Sequence, residues 1–147
     1  MSHDPGAFAL DTSVVIRLLV QQPVRLYERA ALFLEERLAA NAEVHVSDLV
    51  LAEAYFALQS FYGISKADAL LILRAFIVTP GIDVSPTARA VLSLPGLATA
   101  NPGFVDRLIH GAAQSAGRTL VTFEKAARKL PATHVLGSSA STPAADV

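Results

Sequence analysis

Four short apolar runs, each bounded by turn or cap residues and separated by longer stretches of helical spacing, constrain this chain more than any other feature. They lie at 7–10, 44–46, 82–84 and 119–122. Apolar runs of this length, punctuated by Gly, Ser, Asp and Pro, read as buried strands. The stretches between them read as helices. Residues 14–20 are apolar apart from Arg17. From Pro23 onward, Val24, Tyr27, Ala31, Leu34 and Leu38 recur at helical spacing, with Arg25, Glu28, Arg29, Glu35 and Glu36 on the wet side. Pro23 is expected in the first turn, where its missing N–H is no loss. Ser47 is positioned to cap a helix running through Glu53 and Tyr55 to Gly63. Ser65 and Asp68 resemble a capping box for a further helix. Its 69–78 segment is apolar nearly all round except Arg74, the pattern of burial on several sides. Pro86 starts a short helix ending near Pro95-Gly96. Asn101-Pro102 offers a cap and a first-turn Pro for a helix over about 103–116. Residues 124–130 suggest a short basic helix, and Val135-Leu136 a last edge strand.

Strands alternating with helices predict a three-layer α/β/α domain with a mostly parallel central sheet of four or five short strands. One domain is expected over 1–136, followed by a flexible tail of small and polar residues at 137–147. In sheets of this kind ligands bind at the carboxyl ends of the strands.

Composition narrows the chemistry. The chain has 147 residues and no cysteine, which removes disulfides, thiol nucleophiles, Cys-zinc sites and Fe–S clusters together. Twelve Lys and Arg against thirteen Asp and Glu leave a net charge of −1. A nucleic-acid partner would therefore need a local basic patch or a bound metal. The start of the chain lacks the basic segment of a secretory signal, and no apolar run reaches the ~18 residues of a membrane span, so a cytoplasmic protein is expected. A mean hydropathy of +0.44 is high for this size and points to apolar surface covered by a partner.

Several acids sit where hydrophobic patterning would not choose them. Asp11 follows the first strand directly; Glu53 lies among Leu49, Val50, Leu51, Ala54, Tyr55 and Phe56; Asp106 lies amid Phe104, Val105, Leu108 and Ile109; Glu124 follows Leu120-Val121 by a few residues. A carboxylate in apolar surroundings has to be paired, hydrogen-bonded, neutralised or metal-bound. Oxygen-only ligands favour hard ions, Mg²⁺ or Mn²⁺, over zinc. Each acid also has a plain alternative: Asp11 as a helix cap, Glu53 in an ion pair with Arg17 or Arg107, Asp106 as a dipole partner, Glu124 as a cap. Asp48 reads as a first-turn dipole residue, and His110 as a packed or solvated histidine.

The runs Phe8-Ala9-Leu10-Asp11-Thr12-Ser13-Val14-Val15, Val46-Ser47-Asp48-Leu49-Val50-Leu51-Ala52-Glu53, Phe104-Val105-Asp106-Arg107-Leu108-Ile109 and Leu120-Val121-Thr122-Phe123-Glu124 resemble, in order and spacing, the successive motifs of a PIN domain. More narrowly they resemble the VapC-type toxins of bacterial toxin–antitoxin pairs, over about 7–136. The resemblance implies that Asp11, Glu53 and Asp106 are the principal catalytic, metal-binding acids. It places Glu124 where the family usually has Asp. Thr12, Ser13 and Thr122 match polar positions beside these acids. The implied activity is Mg²⁺- or Mn²⁺-dependent endonucleolytic cleavage of RNA by metal-activated water, leaving a 5′-phosphate. Arg107, Arg118, Lys125 and Arg128, with Lys129, are candidate phosphate contacts. An antitoxin partner is implied, for which the α-helical face around Leu32 is a candidate, and a homodimer through the hydrophobic helices at 24–38 and 65–78. Two other readings stay open: a different metal-dependent phosphohydrolase, against which Ser13 counts, and a catalytically silent PIN interaction module.

Overall fold

Ala7–Ala9 (β1), Glu43–His45 (β2) and Ile82–Asp83 (β3) lie side by side in that order, every pairing parallel. Parallel neighbours need crossovers, and the helical stretches supply them. Thr12–Val20 (α1) and Val24–Ala39 (α2) lead from β1 to β2; Asp48–Ser60 (α3) and Lys66–Ile77 (α4) lead from β2 to β3; Pro86–Leu92 (α5) follows. These coordinates are a computed structural model that describes residues 4–137. All of the expected tail except Gly137 lies outside the described residues. The described chain falls into two compact units, divided between Ala98 and Thr99.

In the first unit the register sets Phe8, Val44 and Ile82 in one row. Val44 and Ile82 are buried, and with Val15, Val46, Leu51, Leu58, Leu73 and Ile77 they form the core. Neighbouring side chains on a strand point to opposite faces, so Ala9, His45 and Asp83 form the other row. There His45 Nδ1 and Asp83 Oδ2 stand 2.6 Å apart. Helix α1 packs on α2, α3 and α4, and α4 packs on α3 and α5. Phe8 meets Phe33 of α2 edge-on, 5.5 Å between centroids, tying β1 to that helix.

Helix starts follow local chemistry. Ser47, Ser65 and Ser85 each accept the backbone N–H three residues on, as Ncap hydroxyls do. Pro86 stands in the first turn of α5 as expected, but the other two prolines expected in a first helical turn stand outside it. Pro23 is the Ncap of α2, and Pro102 precedes the Ncap Gly103. Helix α4 is less enclosed than its composition suggests. It buries Ala69, Leu70, Leu73, Phe76 and Ile77 and leaves Leu71 and Val78 exposed. A segment apolar on nearly every side says little about which face turns inward.

The second unit contains Phe104–Ser115 (α6), Leu120–Thr122 (β4), a 3-10 turn at Lys125–Lys129 and Thr133–Val135 (β5). Strands β4 and β5 pair with each other in parallel, Leu120 opposite Thr133. The expected number of strands is present, but they form a three-stranded and a two-stranded sheet where one central sheet was expected. Hydrophobic runs announce that a strand exists; which edge it joins is a long-range choice. The basic helix at 124–130 is a 3-10 turn, and the last strand begins two residues earlier than predicted. Among the described residues no helix is long and apolar enough to cross a membrane.

Candidate active site

Asp11 stands where the chain leaves β1 and turns into α1. As the Ncap of α1 its Oδ1 accepts the Val14 N–H at 3.1 Å, and the Ser13 hydroxyl donates to the same oxygen at 2.6 Å. The Ser13 hydroxyl first, and the Val14 amide after it, hold the carboxyl below its ordinary pKa; slight burial opposes them. Asp11 is therefore an exposed, ionised carboxylate oriented by its neighbours. The cap role and a ligand role are compatible, because the two donors engage one oxygen.

Thr12, the next residue, donates its hydroxyl to Glu53 Oε1 at 3.1 Å. This bond draws a side chain of α3 toward the end of β1. Glu53 is exposed, while Leu51, Ala54 and Tyr55 beside it are buried. Those three point away from it, while Leu49 and Phe56, one turn to either side, are exposed with it, so desolvation is not what distinguishes it. Glu53 is not paired with Arg17, whose guanidinium donates to the Gln22 carbonyl and to the Tyr62 hydroxyl at 2.9 Å. Asp48 accepts the Ser85 hydroxyl at 2.6 Å, joining α3 to the start of α5 as a structural contact.

In the second unit Asp106 lies in the first turn of α6 and is exposed. With Thr122 it lines a cleft of about 150 Å³ walled by Pro102, Ile109 and Leu120. Thr122 Oγ1 accepts the Glu124 backbone N–H at 3.0 Å, which fixes the turn bearing Glu124. Glu124 occupies the Ncap position of the 3-10 turn without a side-chain cap bond, so the cap alternative does not describe it. Two of the candidate RNA-binding cations are engaged inside the unit: Arg107 Nε donates to the Pro102 carbonyl at 2.7 Å and Lys129 Nζ to the Asn101 carbonyl at 3.0 Å. Arg118, Lys125 and Arg128 are exposed.

The four acids are thus divided, Asp11 and Glu53 in one unit and Asp106 and Glu124 in the other. Within either unit alone, the described Asp, Glu and His side chains form no group of three able to hold a metal ion. The donors beside Asp11 and Glu53 are all oxygen, carboxylates flanked by the hydroxyls of Thr12 and Ser13. That set suits a hard divalent cation such as Mg²⁺ or Mn²⁺.

One feature escaped the sequence. A cleft of about 630 Å³ between α1 and α2 is lined by Val14, Leu26 and Phe33 with Arg17 and Arg29. Leu26 and Phe33 fall outside the periodic stripe counted for α2, so nothing local signalled them. His110, expected to be packed or solvated, is packed: it is buried and bonded to the Pro131 carbonyl.

The sequence matches the family model of the PIN domain over residues 8–132, from β1 to the residue before β5. A solved chain of VapBC2 from Rickettsia felis, determined bound to a DNA fragment from its promoter, is 21% identical. That alignment covers 89% of this chain and 98% of the other, with a TM-score of 0.37. No curated protein sequence matches the chain. The family match spans both units and takes in all four acids, and on it the chain belongs to the PIN domain family.

Proposed function

We propose that this PIN domain is a Mg²⁺- or Mn²⁺-dependent endoribonuclease, acting in the cytoplasm as the toxin of a toxin–antitoxin pair. The observation that carries the reading is Asp11: an ionised carboxylate at the carboxyl end of a parallel strand, oriented by two donors, with Glu53 tethered beside it through Thr12. Asp11, Glu53 and Asp106 are proposed to share the cation, with Glu124 assisting from beyond β4. When bound, such an ion polarises a phosphoryl group and makes water nucleophilic at neutral pH.

The chain's own residues do the rest. Ser13 and the Val14 amide keep Asp11 charged and aimed; Thr12 holds Glu53 in reach; Thr122 shapes the turn that presents Glu124. Arg118, Lys125 and Arg128 supply phosphate contacts on a chain with little net charge of its own. Arg107 acts first as a brace on the loop before α6.

The antitoxin is proposed to lay an apolar segment along α2, where Leu32 is 56% exposed and the α1–α2 cleft offers Leu26 and Phe33 between two arginines. A homodimer would use the exposed Leu71 of α4 and Val78 at its C-cap.

The test is cleavage of RNA by the purified chain with Mn²⁺, and growth arrest on expression, for the wild type and Asp11→Asn. Loss of both in the variant is expected; full activity in Asp11→Asn ends the proposal. Calorimetric titration with Mn²⁺ separates the nuclease from a silent interaction module, for which no binding at millimolar ion is expected.

A further inference from the structure

His110 is 7% exposed, on the flank of α6 one turn beyond Asp106. Its Nε2 lies 2.6 Å from the Pro131 carbonyl oxygen. A carbonyl only accepts, so Nε2 carries a proton and donates to it. Pro131 leads directly into the β4–β5 ladder: the carbonyl of the next residue, Ala132, receives the Leu120 N–H at 2.9 Å. A second tie runs from Lys129 after β4 to the Asn101 carbonyl before α6. The helix bearing Asp106 is thus tied to the segment leading into β5, the partner strand of the one bearing Thr122, and the loop before that helix is tied to the turn after β4. Asp106 and Thr122 line one cleft. A leucine at position 110 would serve packing alone; a hydrogen bond of set length and direction also fixes how far α6 can slide along the strand pair.

We propose that His110 is a positioning residue, setting where the Asp106 carboxylate stands relative to Thr122 and to the turn bearing Glu124. This rests on the reading of Asp106 as a carboxylate of the cleavage centre. Groups bonded directly to a metal-binding carboxylate typically matter by about 10- to 100-fold in metal affinity or activity, and His110, which acts through the placement of α6, is expected at the lower end of that range.

The experiment uses the full chain as wild type, His110→Leu, His110→Gln and Asp106→Asn. It reads Mn²⁺ affinity by calorimetry, kcat and KM for RNA cleavage, and the thermal midpoint. His110→Leu is expected to weaken Mn²⁺ binding and lower kcat by about tenfold or more, with KM for RNA unchanged. His110→Gln, whose amide N–H can still reach Pro131, is expected to recover most of both. A leucine variant that melts lower yet binds Mn²⁺ and cleaves within twofold of the wild type overturns the proposal and leaves His110 a packing residue. Where the leucine variant does not fold, His110→Asn against His110→Gln decides: the shorter amide is expected to lose what the longer one keeps, and equal behaviour overturns the idea. Wild-type Mn²⁺ binding and cleavage by Asp106→Asn would instead defeat the functional reading itself.

Discussion

Asp11 carries two roles that mutation can separate. As an Ncap it stabilises α1, and asparagine caps about as well as aspartate while alanine costs about 1 kcal/mol. As a carboxylate it is proposed to bind the cation, which asparagine does not replace. Asp11→Asn is therefore expected to keep the wild-type melting midpoint and lose Mn²⁺-dependent cleavage, whereas Asp11→Ala loses both. Differential scanning calorimetry alongside an RNA cleavage assay checks the pair. The pKa direction gives a second expectation. Because the folded carboxyl titrates below its unfolded value, its contribution to stability is present above the unfolded pKa and is lost as pH falls through the folded one. Ser13→Ala removes the leading cause, so the Asp11 carboxyl should titrate higher by carbon NMR. The variant should then lose less stability across that acid window than the wild type. At this scale much was legible. An acid after a strand is visible in a string of letters, but the hydroxyl of Ser13 bent back onto it, and Thr12 reaching forty-one residues to Glu53, belong to the folded chain.

Elements obey rules that are partly local. Ser47 and Ser65 were readable as caps because the Ncap bond spans only three residues. Ser65→Ala should therefore lower stability by about 1 kcal/mol in urea unfolding with no change in metal binding. Turns are less legible. Gly81, between α4 and β3, has φ +94, and a Cβ there would meet Leu38 Cδ2 of α2 at 2.5 Å. A Pro-Gly pair such as Pro80-Gly81 reads as a helix stop, but nothing in it says that α2 presses against the turn. Gly81→Ala is expected to destabilise by roughly 1–3 kcal/mol, through overpacking and left-handed strain together. A neutral result would mean that Leu38 moves freely. The burial of α4 shows the same boundary. Its composition predicted a helix, while the exposure of Leu71 and Val78 depends on which neighbours arrive.

At the scale of the whole molecule, charge matters more than any single contact. The chain is nearly neutral, so the proposed RNA affinity has to come from a patch. Of the five basic candidates, Arg107 and Lys129 brace the loop before α6, leaving Arg118, Lys125 and Arg128. Replacing these three by alanine is expected to lower the slope of log affinity against log salt by about 2, at roughly 0.7 per phosphate contact on single strands. An unchanged slope would place the RNA on another surface.

What the sequence determined by itself was the kind of elements, their order and which acids are candidates for the site. These signals are written in residues close together: a period of two or of 3.6, a cap three residues from its amide, an Asp at the end of an apolar run. Only the tertiary structure decided that β4 pairs with β5, that α1 and α2 leave an apolar cleft between two arginines, that Glu53 faces water, and that a buried histidine ties α6 to the loop before β5. The physical reason is that partner choice across tens of residues depends on packing and backbone hydrogen bonds between whole elements. No local pattern encodes the free energy by which one such arrangement wins over another.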